Sequence, residues 1–478
     1  METFVTTLNG YVWSPPLVWL CLGAGLYFSV RTRFVQIRQL GEMIRLMLAG
    51  GKSDAGVSSF QALAMSLSGR IGIGNIAGVA TAIAFGGPGA VFWMWVMAFL
   101  GASTAYIEST LAQIYKEKDD NGRYRGGPAY FIEKAMGQRW YAWIFAIVTI
   151  VAAGFLLPGV QANGIAAAAQ NAWGMAPAVT ASIVVIGLGF IIFGGVKRIA
   201  RFAEVVVPFM ALAYMLIALV IMFLNANALP EMFGLILRSA FGLEAGIGAV
   251  IGLAIEWGVK RGIYSNEAGQ GTGPHHAAAA EVSHPAKQGL VQAFSVYVDT
   301  LLVCSATAFM ILSTGMYNVI APAGDMLREA LPGIAVGPGY AQAAVESVLP
   351  GWGASFVALA LFFFAFTTII AYYYMAETNI AYINRRVHRP WLIYALRFVL
   401  LAAVTFGCIR TAEMAWTLGD IGVGLMAWLN IIAILILQKP ALVSLRDYEA
   451  QQKLGLDPVF DPDKLGIRNA ELWRTINK

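Results

Sequence analysis

The chain has 478 residues, of which 58% are hydrophobic and 12% are charged, and its mean hydropathy is +0.67. This composition excludes a soluble globular domain and indicates a polytopic membrane protein. The net charge of +5 is interpreted as a topology signal in the loops and does not indicate a nucleic-acid partner.

About eleven apolar segments are long enough to cross a bilayer, which predicts an all-α membrane protein. The first segment has no basic N-terminal region and is interpreted as a span, not as a cleaved signal peptide. The polar tail after about Pro440 is expected to form a short cytoplasmic helix and coil. In chain order the segments are 12–30, 57–86, 89–115, 141–170, 177–195, 203–224, 241–273, 288–315, 354–383, 391–410 and 413–437.

Basic residues lie mainly in alternate loops and predict the orientation. If the N-terminus is outside, the outward loops contain only Arg238, Arg328 and Arg410. The cytoplasmic side then carries the basic clusters at 31–52, 116–139, 197–201 and 385–389 and a basic tail. Because cytoplasmic loops are enriched in lysine and arginine, we expect an outward N-terminus and a cytoplasmic C-terminus in a plasma membrane, the bacterial inner membrane.

The second segment is interrupted by a run at 69–78 that contains four glycines, an arginine and an asparagine. A helix that breaks at mid-membrane exposes N–H groups that suit a carboxylate and carbonyl groups that suit a small hard cation. Gly72 and Gly74 allow the backbone to approach a solute, and the Asn75 amide can bridge an ion and the backbone. The glycine spacing does not fit the dinucleotide-binding fingerprint.

A second interruption lies at 261–271, five segments after the first. Five spans reverse the direction of the chain, so the two breaks predict a five-plus-five inverted repeat, although glycine is also common in ordinary membrane helices. Glu267, beside Asn266 and Gly269, is expected to bind an ammonium group or an ion, or to cap a half-helix and act as a gate. The predicted organisation is an N-terminal segment with one extra helix at 1–56, repeats at 57–235 and 236–438, and a tail at 439–478.

Further polar residues lie inside apolar segments. Gln161 and Asn163 are each expected to contact a solute or to form an interhelical hydrogen bond. Asp299 lies near the middle of the eighth segment, where a lone carboxylate costs roughly 2.5–3.5 kcal/mol, so we expect it to pair with Arg70 or to relay a cation. A histidine cluster after the second break is interpreted as a solvated cytoplasmic loop, with a pH sensor as the alternative: His275, His276 and His284.

Three blocks of sequence resemble the alanine/glycine:cation symporter family: SGRIGIGNIAGVATAI at 68–83, GGPAYFIE at 126–133 and RGIYSNEAGQG at 261–271. The hydropathy pattern agrees along nearly the whole chain. The resemblance implies a LeuT-type fold of the amino acid-polyamine-organocation superfamily, and sodium-coupled uptake of alanine or glycine.

The resemblance also implies particular site residues. The carboxylate-binding backbone would fall on Ile73, Gly74 and Asn75, and Gln161 would contact the substrate. Many family members carry threonine where this chain has Ile73, so only main-chain contact is expected there. The sodium ligands would be the hydroxyls of Thr367 and Thr368 with the carbonyl oxygens of Ser68 and Ile71; hydrogen bonding of the threonines within their own helix is the alternative.

The predicted function is therefore symport of a small neutral amino acid with sodium as the coupling ion and no other cofactor. A proton-driven carrier that uses Asp299 or Glu267 is the alternative, and a channel is a further one. No Ser/His/Asp or metal constellation supports an intramembrane enzyme, and no Walker A motif indicates ATP. The choice between alanine and glycine, the stereoselectivity, the number of ions and the oligomeric state stay open.

Overall fold

The structure is a computed structural model that describes residues 2–48, 56–194, 196–243 and 251–476. These residues are almost entirely helical. Two short antiparallel hairpins pair Glu117–Lys118 with Tyr124–Arg125 and Val319–Ile320 with Met326–Arg328. The helices are α1 Glu2–Val12, α2 Pro15–Arg31, α3 Leu40–Leu48, α4 Ser59–Arg70, α5 Gly74–Gly86, α6 Ala90–Ile114, α7 Arg139–Trp173, α8 Pro177–Ile192, α9 Val196–Leu224, α10 Leu229–Ala240, α11 Ile251–Asn266, α12 Gly273–Ala279, α13 Pro285–Thr314, α14 Pro338–Val348, α15 Gly353–Val387, α16 Trp391–Ile409, α17 Ala412–Lys453 and α18 Glu471–Ile476.

Among the described residues, eight helices are long and apolar enough to cross a membrane, with α1 and α2 taken together, and the bent pair of α4 and α5 adds a ninth. Two other predicted segments coincide with α8 and α11, which have 16 residues each and are shorter than this criterion. Residues 244–250 of the seventh segment, including Glu244, lie outside the described residues. The polytopic helical architecture is confirmed, and the count of eleven spans stays a prediction.

Helix α9 shows where the protein meets lipid. Only 28% of its most apolar window is buried, against 67% for α6. Its large apolar side chains are exposed at helical spacing, which is the pattern of a face turned to hydrocarbon. These side chains include Val205, Phe209, Leu212, Leu216 and Phe223. The core therefore lies on the side of α4, α6, α11 and α13, away from this face.

The interruption at 69–78 is confirmed, because α4 and α5 meet at a 50° bend. Ile71 is extended, with φ −77° and ψ 90°, so the helical hydrogen-bond ladder stops there. Helix α5 restarts with a wide turn of π type at Gly74–Gly78. Wide turns of this kind leave backbone groups without their normal helical partners and occur often at functional sites.

The second break has a different geometry. Helix α11 ends at Asn266, and α12 begins at Gly273. Three residues between them have left-handed backbone angles: Glu267 at φ 58°, Gly269 at φ 84° and Gly271 at φ 83°. Glycine adopts this region without steric cost, whereas a residue with a Cβ does so only when its surroundings hold it there.

The chain after 437 contains the helix and coil expected of the tail, but both are packed against the rest of the protein. Helix α17 continues through Pro440 to Lys453, and the rest folds back against the end of α6. The Trp473 side chain is fully buried, and its Nε1 donates to the Gln113 carbonyl oxygen at 2.9 Å. The Phe460 N–H donates to the Ser283 carbonyl oxygen at 3.0 Å. Aromatic anchors in a polar tail explain this docking, because each buries a large apolar area.

Candidate functional site

The two breaks meet at the centre of the bundle. A Cβ added at Gly74 would lie 3.2 Å from the Cα of Ser265, so the start of α5 packs directly on the last turn of α11. This approach explains the glycine, because any side chain there would push the two broken helices apart. Sequence positions 191 residues apart are thereby brought into one buried centre.

Main-chain donors of the first break point at side-chain oxygens. The Gly72 N–H donates to Asn75 Oδ1 at 2.8 Å, and the Ile73 N–H donates to Gln161 Oε1 at 2.9 Å. Both acceptors are neutral amide oxygens. Because a carboxylate accepts a stronger hydrogen bond than a neutral amide, it can displace them.

Ile73 also forms part of the wall of a cavity of about 660 Å³. A Cβ on Gly164 would overlap the tip of the Ile73 side chain, so the isoleucine is held tightly against α7. The cavity reaches the surface beside Ile334, which is exposed. Asn163 lines it but donates to the carbonyl oxygens of Gly407 and Arg410, at 3.0 and 2.7 Å. Gln161 therefore contacts the first break, whereas Asn163 makes an interhelical bond.

An oxygen cluster lies on the other side of the first break. Thr368 Oγ1 lies 2.8 Å from the Ser68 carbonyl oxygen and 3.2 Å from that of Ile71. The Phe364 carbonyl oxygen is 2.9 Å away. One hydroxyl proton cannot satisfy three acceptors fully, so the cluster is rich in unshared lone pairs and fits a small hard cation.

Thr367 is oriented differently from its neighbour. Its Oγ1 donates to the Phe364 carbonyl oxygen at 3.0 Å, which is bonding within its own helix. Thr367 and Thr368 are both buried. Three of the four predicted sodium-ligand residues, Ser68, Ile71 and Thr368, thus converge, whereas the Thr367 hydroxyl bonds within its own helix. In the described part of the chain, no group of three or more His, Cys, Asp or Glu residues suits a metal ion.

Asp299 joins the two breaks. Its Oδ1 accepts from Asn75 Nδ2 at 2.7 Å and from Ser265 Oγ at 3.0 Å, and its Oδ2 accepts from Thr300 Oγ1 at 2.7 Å. These donors compensate the buried carboxylate in place of a cation.

The predicted ion pair between Arg70 and Asp299 is wrong. No nitrogen of Arg70 lies within the 4.0 Å ion-pair distance of a carboxylate among the described residues. Arg70 Nη1 donates instead to the Gln292 carbonyl oxygen at 3.1 Å and to the Ser295 hydroxyl. Asp299 finds enough neutral donors nearby, so it does not need the guanidinium.

Glu108 on α6 holds the second break, and the sequence interpretation missed it. Its Oε1 accepts from the Gly269 N–H at 3.2 Å, and its Oε2 accepts from Asn430 Nδ2 at 2.6 Å. Asn430 Nδ2 also donates to the Gly269 carbonyl oxygen at 2.9 Å, so the Gly269 residue is gripped at both its N–H and its carbonyl. The sequence did contain a signal for Glu108, because an ionisable residue within an apolar span usually has a polar partner or a function.

Asn266 and Glu267 differ in their hydrogen bonding. Asn266 Oδ1 accepts from the Ala268 N–H at 3.0 Å, and its Nδ2 donates to Thr300 Oγ1 at 3.3 Å. Asn266 therefore stabilises the break from within. The Glu267 carboxyl is fully buried, and neither of its oxygens accepts a hydrogen bond.

The histidine interpretation is wrong: His275, His276 and His284 are all fully buried. His275 stacks on Phe145, and its Nε2 lies 2.8 Å from Asn379 Nδ2. The histidines are buried by tertiary packing. Helix α12 packs against α6, and Phe460 of the docked tail covers His284.

The side opposite the cavity is closed near the ends of α4 and α12. The Val57 N–H donates to the Ala279 carbonyl oxygen at 3.1 Å, and the Glu281 N–H donates to the Val57 carbonyl oxygen at 3.0 Å. Arg125 forms a buried ion pair with Glu377 at 2.8 Å. Two broken helices around a buried polar centre, with a cavity beside the first break, are typical of a membrane carrier.

Comparisons with known proteins give the family. Residues 1–462 match the model of the sodium:alanine symporter family, and the chain belongs to that family. The YrbD protein of Bacillus subtilis, whose assignment as an alanine carrier is itself provisional, is 62% identical over 99% of this chain and 98% of its own length. The sodium/proton-dependent alanine carrier of Bacillus sp. strain PS3 is 55% identical over 90% of this chain and 97% of its own length.

Solved structures support the fold at a lower level of similarity. A manganese transporter from Eremococcus coleocola superposes with a TM-score of 0.51 at 14% sequence identity, over 88% of this chain and 90% of that chain. This likeness concerns the path of the helices alone. The family match and the relatives indicate a transporter and not an enzyme, and they confirm the expected membrane symport of alanine.

Proposed function

We propose that the protein couples sodium entry to the uptake of a small neutral amino acid, alanine or glycine, by alternating access. One observation carries the proposal: residues 71–73 of the first break present donors and acceptors together. The Ile71 carbonyl oxygen belongs to the oxygen cluster, and the Gly72 and Ile73 N–H groups donate to amide oxygens. A cation and a carboxylate bound there would share the same peptide groups and favour each other.

The substrate carboxylate would replace Asn75 Oδ1 and Gln161 Oε1 on the N–H groups of Gly72 and Ile73. Gly74 keeps the second break close, and Asn266 and Gly269 would complete the pocket from that side. The Ile73 side chain fills the space beside Gly164, which leaves little volume for a substrate side chain. This supports a preference for the smallest amino acids.

The sodium ion would be held by the carbonyl oxygens of Ser68 and Ile71 and the hydroxyls of Thr367 and Thr368. One sodium ion that moves down ~100 mV releases roughly 2.3 kcal/mol, and a tenfold concentration gradient adds roughly 1.4 kcal/mol. The sum of about 3.7 kcal/mol supports several-hundredfold accumulation of a neutral solute. A single sodium site is therefore sufficient.

The proposed architecture is a LeuT-type inverted repeat with eleven spans, with the repeats at 57–235 and 236–438 and the N-terminus outside. In that orientation the 660 Å³ cavity opens outward, and the contacts of Val57 and Arg125 close the cytoplasmic side. The proposed coupling or gating groups lie between the cavity and these cytoplasmic contacts: Arg70, Glu267 and Asp299. Inward release requires the contacts of Val57 and Arg125 to open.

Uptake by the purified chain in proteoliposomes tests this function. An inward sodium gradient alone should drive accumulation of labelled alanine, with glycine as a competitor, and a potassium gradient of equal size should not. Symport would be contradicted if no ion gradient drove alanine accumulation, or if the protein conducted ions without saturable alanine transport. The proton-coupled alternative is favoured by the buried carboxyls Asp299 and Glu267 and by the name of the strain PS3 relative, and a proton gradient applied alone tests it.

A further inference from the structure

One arginine lies inside an apolar span without an acidic partner. Arg397 lies within the first two turns of α16, which begins at Trp391, and it does not belong to the basic clusters of the loops. In the ranges that the structure describes, no carboxylate forms an ion pair with its guanidinium. An ionisable side chain in a membrane span usually has a polar partner or a function, so this unpaired charge requires an explanation.

The guanidinium of Arg397 points toward the membrane surface. Side chains of a helix tilt toward its N-terminal end, and this guanidinium lies 5.4 Å from the ring of Tyr394, one turn nearer that end. It also lies 4.9 Å from the ring of Phe193, the residue that follows the last turn of α8. The charge is therefore at the level where α8 ends. Long basic side chains near a helix end extend their charge to the headgroup region in this way.

Most hydrogen-bond donors of this guanidinium are available to a ligand. A guanidinium carries five N–H donors in one plane, and Nε of Arg397 donates to the Tyr373 hydroxyl at 2.9 Å. Among the described residues, neither Nη1 nor Nη2 has an acceptor, and neither atom is enclosed by the protein. The free edge of a guanidinium matches two oxygens of a phosphate.

A second arginine lies at the same end of α8. Arg198 is exposed; its guanidinium lies 5.1 Å from the ring of Phe190, and its Nη1 donates to the Phe190 carbonyl oxygen at 2.7 Å. Phe190 and Phe193 are three residues apart and share a face of the chain. Within the described part of the chain, Arg198 too has no carboxylate partner. By contrast, both arginines in the last turn of α15 pair with Glu133.

We infer that Arg397 and Arg198 bind the phosphate of an anionic phospholipid at the membrane surface between α8 and α16. Basic sites of this kind between membrane helices bind anionic headgroups. The rings around the two cations are exposed and would contact the acyl chains: Phe190 is 74%, Tyr394 57% and Phe398 66% exposed. A free phosphate would use the cations alone, whereas a lipid also covers this apolar surface, which favours the lipid. The inference does not depend on which solute is transported.

The test measures lipid binding to the full chain in detergent by native mass spectrometry. Phosphatidylglycerol should bind more tightly than phosphatidylcholine, which has the same phosphate but no net charge. Arg397→Gln should weaken phosphatidylglycerol binding by about fivefold or more, the factor that one basic residue near an anionic headgroup supplies, and should leave phosphatidylcholine binding unchanged. Arg468→Gln, which removes an exposed cation from the docked tail, should bind phosphatidylglycerol as the wild-type protein does.

Several outcomes would overturn the inference. The wild-type protein might bind the two lipids equally, or Arg397→Gln might keep the full preference for phosphatidylglycerol. An equal loss of binding in Arg397→Gln and Arg468→Gln would show a general effect of charge in place of a site. Soluble glycerol 3-phosphate that competes as strongly as phosphatidylglycerol would identify a free phosphate, and not a lipid, as the ligand. Arg198→Gln should give a smaller loss than Arg397→Gln, because Nη1 of Arg198 is already bonded.

Two further variants apply if Arg397→Gln does not fold. Tyr373→Phe removes the hydroxyl that accepts from Nε but keeps the guanidinium, so the preference for phosphatidylglycerol should remain. Arg397→Lys keeps the charge but loses the paired N–H edge, so the preference should fall only in part. A preference that is lost in Tyr373→Phe, or is unchanged in Arg397→Lys, would show that Arg397 serves the packing of α16 against α15 and does not hold a phosphate.

Discussion

The two breaks are built from different interactions. At the first break, the N–H groups of Gly72 and Ile73 donate to the neutral amide oxygens of Asn75 and Gln161. At the second break, Gly269 is held by the Glu108 carboxyl and the Asn430 amide from two other helices, while neither carboxyl oxygen of Glu267 accepts a hydrogen bond.

This difference separates two roles. Neutral amide acceptors are readily exchanged for a carboxylate or an ion, because charged acceptors bind N–H groups more strongly. Gly269 is bonded at both its N–H and its carbonyl oxygen, by side chains of two other helices, so these bonds are not easily exchanged. The first break is suited to exchanging ligands, whereas the second keeps its backbone fixed and presents one uncompensated carboxyl. The predictions below test this contrast, beginning with the largest expected effect.

Asn75→Ala should abolish alanine uptake while the protein still folds. The substitution removes the Asn75 donor to Asp299 and the hydrogen bond that fixes the turn of the first break at Gly72, so both the shape of that break and its link to the second break are lost. Initial uptake rates in proteoliposomes, with size-exclusion elution as the folding check, measure the effect. Asn163→Ala is the control, because that amide lines the cavity beside Ile73 but bonds only carbonyl groups of α16 and the following loop. Near-normal uptake by Asn75→Ala would refute the site.

Thr368→Val should raise the sodium concentration for half-maximal uptake by about 10- to 100-fold, which corresponds to the loss of one charge-associated contact of about 1.5–3 kcal/mol. Valine keeps the shape of threonine and removes only the oxygen. Sodium titration of alanine uptake gives the value. Thr367→Val should have a smaller effect, since that hydroxyl bonds within its own helix. An unchanged sodium requirement in Thr368→Val would place the ion elsewhere, and equal effects of the two substitutions would show that both hydroxyls hold the ion.

Glu108→Ala should weaken alanine binding by about tenfold, because it leaves a buried N–H without an acceptor, at a cost of about 1–3 kcal/mol. Glu108 acts as a positioning residue, so KM should change more than the maximal rate. Glu108→Gln retains an acceptor for Gly269 and should restore most of the affinity. A loss of maximal rate with unchanged KM in both variants would contradict a purely positioning role.

Trp473→Ala should undock the tail with less than about a twofold change in alanine affinity. Loss of a fully buried tryptophan costs about 3–5 kcal/mol of local packing, and the tail lies far from the breaks. Limited proteolysis of residues 454–476 measures the undocking of the tail, and the melting temperature measures the loss of stability. Trp140→Ala is the control, because that side chain is 65% exposed. A tail that stays protected in Trp473→Ala would show that the aromatic anchor is dispensable.

The smallest expected effect is a pH dependence of tail docking. Lys116 lies outside the membrane-spanning part of α6, and burial lowers the pKa of its ammonium group to about 7 from the ordinary 10.5. Between these values an exposed lysine binds a proton that the buried one lacks, so docking should strengthen as the pH rises from 7 toward 10. Protection from proteolysis at pH 7 and pH 9 checks the sign. Lys116→Met should abolish the slope, and a slope of opposite sign would contradict the burial argument.

Much of the site follows from the sequence because each signal is local. Among the predicted residues, the structure does bring together the glycines at 72 and 74, the amides of Asn75 and Gln161, and Thr368. The pairing of Arg70 with Asp299 and the exposure of the histidines were wrong, and Glu108 was missed. In each case the error concerned the partner of a polar group and not its presence in the membrane.

The sequence by itself determined the helical membrane class and the two breaks. A bilayer allows only backbone that satisfies its own hydrogen bonds, so apolar length and clustered glycines are read directly from the chain. Only the tertiary structure decided which buried polar groups meet. Asn75 and Asp299 are separated by 224 residues, and Glu108 and Gly269 by 161. No local pattern encodes such a contact, because it depends on how the helices pack around one another.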